Sequence, residues 1–241
     1  PTISMTFQVN DSPFAGVKDR SGGKFLTSRQ LRDRLTRETQ HNVALKVEDT
    51  ADADKFKVSG RGELHLSILI ETMRREGYEL AVSRPEVIIR EIDGVMQEPI
   101  ESLVVDMEEQ FQGGVMGRLG ERKALLQNME PDGKGRVRLD YMIPARGLIG
   151  FRTKFLTDTR GAGIAASISE GYEPWAGPIE YRTNGSMIAD RAGVVTPFAM
   201  INLQERGSFF VRPTSEVYEG MIVGENSRAD DMDVNITKEK K

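Results

Sequence analysis

Two stretches of this chain run through the same succession of periodicities, and that repetition limits the fold more than any single motif does. In "TISMTFQV" the residues Ile3, Met5, Phe7 and Val9 alternate with polar neighbours, the period of a strand with one buried face. A Gly/Ser/Asp-rich loop, "DSPFAGVKDRSGG", follows. "TSRQLRDRLTRETQ" then offers Thr27 or Ser28 as a helix N-cap, with Leu31 and Leu35 as an apolar pair one turn apart. "NVALKVE" alternates again through Val43, Leu45 and Val47, and the turn "DTADAD" leads into "KFKVSG" with Phe56 and Val58 inward. "SGRGELHLSILIETMRREG" is helical, and "YELAVS" closes the set with Leu80 and Val82.

The second set begins at "IESLVVDMEEQ", a strand. "GGVMGRLGERKALLQNM" is expected to be one helix, with Val115, Leu119, Leu126 and Met129 as its stripe. "GRVRLDYMIP" alternates through Val137, Leu139, Tyr141 and Ile143. "RGLIGFRTKFLTDT" is a second helix carrying Leu148, Phe151, Phe155 and Thr159, and "GIAASIS" a final strand. The class is α+β: two ferredoxin-like βαββαβ modules, each a four-stranded antiparallel sheet with two helices on one face. From about Ala176 the pattern changes to short apolar runs, β-branched residues and glycine turns without an amphipathic helix, which predicts a β-rich, barrel-like and incomplete C-terminal domain. The expected divisions are 1–86, 87–175 and 176–241.

Composition excludes several functions. There is no cysteine, so disulfides, thiolate nucleophiles and zinc–sulfur sites are out. No apolar run approaches the roughly 20 residues of a membrane span, and no signal-peptide pattern opens the chain; the expected compartment is the cytoplasm. A formal net charge of −4 argues against indiscriminate nucleic-acid binding, so any RNA contact has to come from a local patch. The chain opens on Pro1 directly in a strand pattern and stops on "KEKK", which reads as a piece of something longer.

The helix from Ser59 to Gly77 invites three readings: a phosphate cradle, a metal site built on Glu63 and His65, or packing alone. "SGGKF" fails as a phosphate loop, because Lys18 stands where the first glycine belongs and Phe25 where Ser or Thr should follow Lys24. "GRGEL" and "RGLIG" lack the dinucleotide spacing. A metal helix wants a ligand four residues beyond His65, and that position is Leu69. Leu66, Leu69, Ile70 and Met73 form a packing stripe, Gly60 and Gly62 a tight turn and Gly77 a C-cap, so the stretch reads as structural. Glu108–Glu109 and Asp230–Asp231 lie in polar runs with nothing to shift their pKa, so no catalytic residues are assigned.

Basic residues concentrate in the second module: Arg122 and Lys123 on its first helix, Lys134, Arg136 and Arg138 at a hairpin, and Arg146, Arg152, Lys154 and Arg160 along its second helix. A solvated helix face accounts for such charges equally well. Gly113, Gly114, Gly117 and Gly120 are harder to dismiss, since each costs a helix about 1 kcal/mol, and they suit close backbone approach to a large partner.

"DTADADKFKVSGRGELHLSILIETMRREGYELAVSRPEV" resembles domain III of the translational GTPases, in particular their BipA/TypA branch. "EPIESLVVDMEEQFQGGVMGRLGERKALLQNMEPDGKGRVRLDYMIPARGLIGFRTKFLTDTRGAG" resembles their domain V, shared with elongation factor G. "EVYEGMIVGENSRADDMDVN" carries the likeness into the branch-specific C-terminal domain. The resemblance implies a cytoplasmic, ribosome-associated, monomeric factor concerned with stress and cold adaptation, large-subunit assembly and virulence control, with no membrane partner. It further implies that the GTPase domain, with its GTP and Mg, lies in a part of the protein missing here, so that this stretch needs no cofactor and is no enzyme by itself.

The resemblance implies docking near the stalk base; because the chain as a whole is acidic, the local concentration of charge at Arg122, Lys123, Lys134, Arg146, Arg152 and Lys154 is what would meet rRNA there. By the same resemblance "DDMDVNITKEKK" would begin a loop reaching the A-site tRNA acceptor end, with Lys238, Lys240 and Lys241 as its contacts. The competing reading is a tandem ACT-type regulatory pair binding a small effector between its modules. The basic, glycine-rich helix Gly113–Lys123, for which an effector module has no need, speaks against it.

Overall fold

The computed structural model describes residues 1–17, 23–180, 182 and 184–241. The part of the Gly/Ser/Asp loop holding Lys18, Ser21 and Gly22, on which the phosphate-loop comparison partly turned, lies outside the described residues. The chain divides into two compact units, Pro1–Ile179 and Glu180–Lys241.

The first unit opens with β1 (Ile3–Val9), α1 (Ser28–His41), β2 (Lys46–Asp49), β3 (Lys55–Gly60), α2 (Glu63–Glu76) and β4 (Leu80–Val82). The strands run in the antiparallel order β2-β3-β1-β4, the split βαβ arrangement, and a short fifth strand β5 (Glu86–Val87) pairs with the start of β1. Thr27 caps α1 in a reciprocal box with Gln30, each side chain bonding the other residue's backbone N–H. Val43, expected inside a strand, is 92% exposed: the alternation starts only at Leu45, and the strand at Lys46. Helix α2 buries Leu66, Leu69 and Met73 and ends on Gly77 in the left-handed conformation. A Cβ at Gly60 would stand 2.7 Å from His65 Nδ1 and 2.9 Å from a Leu66 methyl, so the strand reaches the helix only as glycine. Phe7, Leu35, Phe56, Val58, Leu66 and Met73 fill the core between helices and sheet.

The second module follows after Ile88 and Ile89: β6 (Arg90–Ile92), β7 (Val95–Glu108), α3 (Gln112–Glu121), β8 (Leu125–Pro131), β9 (Arg136–Pro144), α4 (Ala145–Leu148), α5 (Phe151–Asp158) and β10 (Ile164–Pro174). Its order, β10-β7-β9-β8 with β6 added on β7, repeats the first. Two expectations fail here. The helix foreseen through Met129 stops at Glu121, Lys123 turns into positive φ (63°), and Leu125–Pro131 becomes the fourth strand that the βαββαβ pattern requires. The spacing of Leu126 and Met129 from Leu119 was coincidental, since both are exposed on an edge strand whose position is set by pairing with β9. The second helix is broken at Gly150, whose φ of 72° separates α4 from α5. Val115, Leu119, Phe151 and Phe155 cover one sheet face over Leu103, Val105, Leu139 and Tyr141, a core that shares no residue with the first.

The second unit contains β11 (Ser186–Ala189), β12 (Gly193–Val194), α6 (Pro197–Leu203), β13 (Gly207–Phe209), β14 (Glu216–Val217), β15 (Ile222–Asn226) and β16 (Met232–Val234). Its sheets, β13-β15-β11-β16 and β12-β14, are open rather than closed into a barrel. The segment read as all-β also holds α6, whose start Thr196 caps, with Pro197 in its first turn. "DDMDVNITKEKK", read as the root of an outreaching loop, contributes β16 and the buried Ile236 to the core, which leaves residues 238–241 as exposed coil. No helix among the described residues is long and apolar enough to cross a membrane.

Candidate nucleic-acid interface

Helices α3 and α5 form the outer layer of the second module. Burying Val115 and Leu119 turns Gly113, Gly114, Gly117 and Gly120 to the exposed side of α3. A Cβ built at any of the four meets no atom within 4 Å, and none of them has positive φ. Neither internal packing nor backbone geometry therefore requires glycine there, although together they cost the helix roughly 3 kcal/mol against alanine. What they leave is a ribbon of bare helical backbone.

The cations around this ribbon differ in how far they are already engaged. Lys123, just past the end of α3, Lys134 in the β8–β9 turn and Lys154 on α5 are exposed, and none enters an ion pair among the described residues. Arg152 is exposed but donates to Ala165 O at 2.8 Å and Ser167 Oγ at 3.3 Å. Arg122 is half-buried and donates from Nη1 to Gly147 O (2.7 Å) and Ile149 O (2.9 Å), tying α3 to the loop before α5. Arg146 belongs to another environment. It is 5% exposed, and its Nε donates to Glu98 Oε2 at 2.5 Å, so its charge is met inside the protein and does not reach the surface. Arg136 pairs with Asp106, Arg138 with Asp140, and Arg118 bridges α3 to α5 through Asp158. In the second unit Lys238, Lys240 and Lys241 lie in the terminal coil, where Lys238 O accepts from Thr196 Oγ1.

A cavity of about 1020 Å³ opens between the two modules, with Leu64, Ile68, Ile149, Arg61, Arg152 and Glu101 on its walls. Burial pushes the Glu101 carboxyl up from its ordinary value, against the lowering effects of Ser167 and Arg152. His65 lines the same cavity with both ring nitrogens engaged: Nδ1 accepts the Arg61 backbone N–H at 3.1 Å, leaving Nε2–H to donate to Asn42 Oδ1 at 3.2 Å. No three His, Asp or Glu side chains among the described residues are grouped to hold a metal. The walls of the cavity come from two modules, so no single motif marks its residues, although the competing effector reading does place a ligand between the modules. The burial of Glu98 did leave a trace, as a carboxylate just ahead of the apolar run in "EPIESLVV".

Comparison with known proteins bears on the chain from end to end. Residues 95–183 match the family described as elongation factor G C-terminus, and residues 184–241 the TypA/BipA C-terminal domain. Proteins named large ribosomal subunit assembly factor BipA are similar over the whole chain. That of Salmonella typhimurium is 58% identical over 242 residues and that of Haemophilus influenzae 55% over 242, in each case 100% of this chain and 39% of the relative. That of Synechocystis is 53% identical over 240 residues, 100% of this chain and 40% of the relative. The chain thus spans about two fifths of the length of these curated relatives.

Proposed function

We propose that this chain belongs to the TypA/BipA family and is the part by which a translational GTPase engaged in large-subunit assembly holds the ribosome, a reading supported by the two domain matches and by 53–58% identity over the whole chain. The observation that carries the reading is the bare outer face of α3, flanked by Lys123 and Lys154. A sugar-phosphate backbone is a polyanion with a ridged surface. It gains from an approach that no side chain obstructs and from ammonium groups free to meet phosphates. In this reading Lys123, Lys134 and Lys154 supply phosphate contacts and Arg152 a further one after releasing Ser167. Arg122 shapes the loop behind them, and Lys238, Lys240 and Lys241 form a second contact to rRNA or the tRNA acceptor end. GTP and Mg would act in another part of the protein, in the cytoplasm, and this chain would take no part in the chemistry.

Amide exchange with and without large ribosomal subunits tests the assignment. Protection should appear over residues 112–123 and the start of α5. Protection confined to the second unit would move the interface away from α3. The cavity between the modules favours one other reading, a small effector bound there. An effector site would leave the exchange of α3 unchanged when ribosomes are added.

A further inference from the structure

Arg146 is spent on something other than RNA. Its guanidinium lies between three groups that belong to two separate segments. From β7 comes Glu98, whose side chain is fully buried and accepts from Arg146 at Nε (2.5 Å) and Nη2 (3.3 Å). From the segment after β10 come Gly177, whose carbonyl accepts from Nη2, and Trp175, whose ring lies 3.7 Å from the guanidinium carbon. The same Glu98 accepts the Ala176 backbone N–H at 3.3 Å, and the Trp175 backbone N–H donates to Met96 O at 3.0 Å. Three consecutive residues, 175–177, are thereby fastened to the second module beyond the end of its last strand, just before the second unit begins at Glu180.

The chemistry suits a fastening. A planar guanidinium can give two donors to a carboxylate and one to a carbonyl while its face stacks on an indole, which an ammonium cannot do. Burying such a pair is costly, and replacing both partners by apolar residues is often neutral for stability. The core beneath, Leu103, Val105, Leu139 and Tyr141, closes without either residue. The pair therefore has a task other than holding that core together. We propose that Arg146, held by Glu98, is the positioning residue of a latch that fixes residues 175–177 to the second module and so determines where the chain leaves it. The latch stands whether or not α3 meets RNA.

Trp175 is the chain's only tryptophan, so it reports on the latch directly. The decisive protein is the double variant Arg146→Met with Glu98→Leu, which removes both charges and leaves neither buried alone. The latch predicts that acrylamide quenching of Trp175, already 41% exposed, rises measurably and that the Ala176 amide exchanges at least tenfold faster, while the Leu139 and Tyr141 amides keep their wild-type protection. Arg146→Lys, which keeps the charge but loses the planar fork, should move both readouts in the same direction by less. Wild-type quenching and exchange in the double variant would overturn the proposal. So would loss of protection at Leu139 and Tyr141, because the pair would then be part of the module's core.

Discussion

Changing Gly114 and Gly117 together to alanine separates what α3 needs as a helix from what its outer face is for. The added methyl groups point into open space, since no atom lies within 4 Å of either Cβ position. Neither glycine has positive φ, so alanine fits without strain. Alanine is favoured over glycine in a helix interior by about 0.8–1 kcal/mol, and Gly114, in the first turn, should give somewhat less than Gly117. The double variant should be about 1.5 kcal/mol more stable than the wild type in urea unfolding followed by far-UV circular dichroism. If the bare ribbon is a contact, the same two methyl groups stand between the helix and its partner. Affinity for large ribosomal subunits should then fall about tenfold, equivalent to about 1.4 kcal/mol. A gain in stability with unchanged binding would refute the contact. No gain in stability would refute the claim that the glycines go uncompensated within the chain.

Leu69→Ala should destabilise the first module by about 2–5 kcal/mol, because Leu69 is buried in its core and the cavity cannot collapse fully; urea titration measures it. Hydrogen bonding to Arg34 holds the Glu76 carboxyl below its ordinary 4.5, so its stabilising share is complete above that value and is lost as pH falls through the lower folded pKa. Arg34→Met should therefore lower stability near neutral pH and flatten the acid limb of an unfolding-against-pH profile between pH 5 and the folded pKa. Calorimetry with GTP and Mg should give no binding to this chain, and micromolar, magnesium-dependent binding would contradict the division of labour proposed above.

Much of the fold could be read from periodicity because both modules bury one face of each main strand. Ile3 and Phe7, or Val137, Leu139, Tyr141 and Ile143, point one way and are inside. The reading failed where pairing rather than burial decides. All of β8 is exposed, so its apolar residues carry no inside–outside signal, and only the hydrogen bonds to β9 make it a strand. The short helix α6 escaped notice because it buries only Ala199, although Thr196 followed by Pro197 marks its start. For the candidate interface, sequence located the glycines and the cations but gave no information on engagement. Arg146 and Lys123 look alike as letters, and the structure separates them by a buried carboxylate, Glu98, 48 residues away along the chain.

The salt dependence of binding to isolated large subunits tests the central claim most directly. Sedimentation of the wild-type chain across a salt series should show affinity falling steeply, as phosphate contacts release counterions. Lys123→Gln with Lys154→Gln leaves both cores untouched, since both side chains are exposed. Two lost phosphate contacts should flatten the log–log slope by roughly 1.5, at about 0.7–0.9 per contact. An unchanged slope in this variant, with the fold intact, would contradict the assignment of α3 and α5 as the surface that meets RNA.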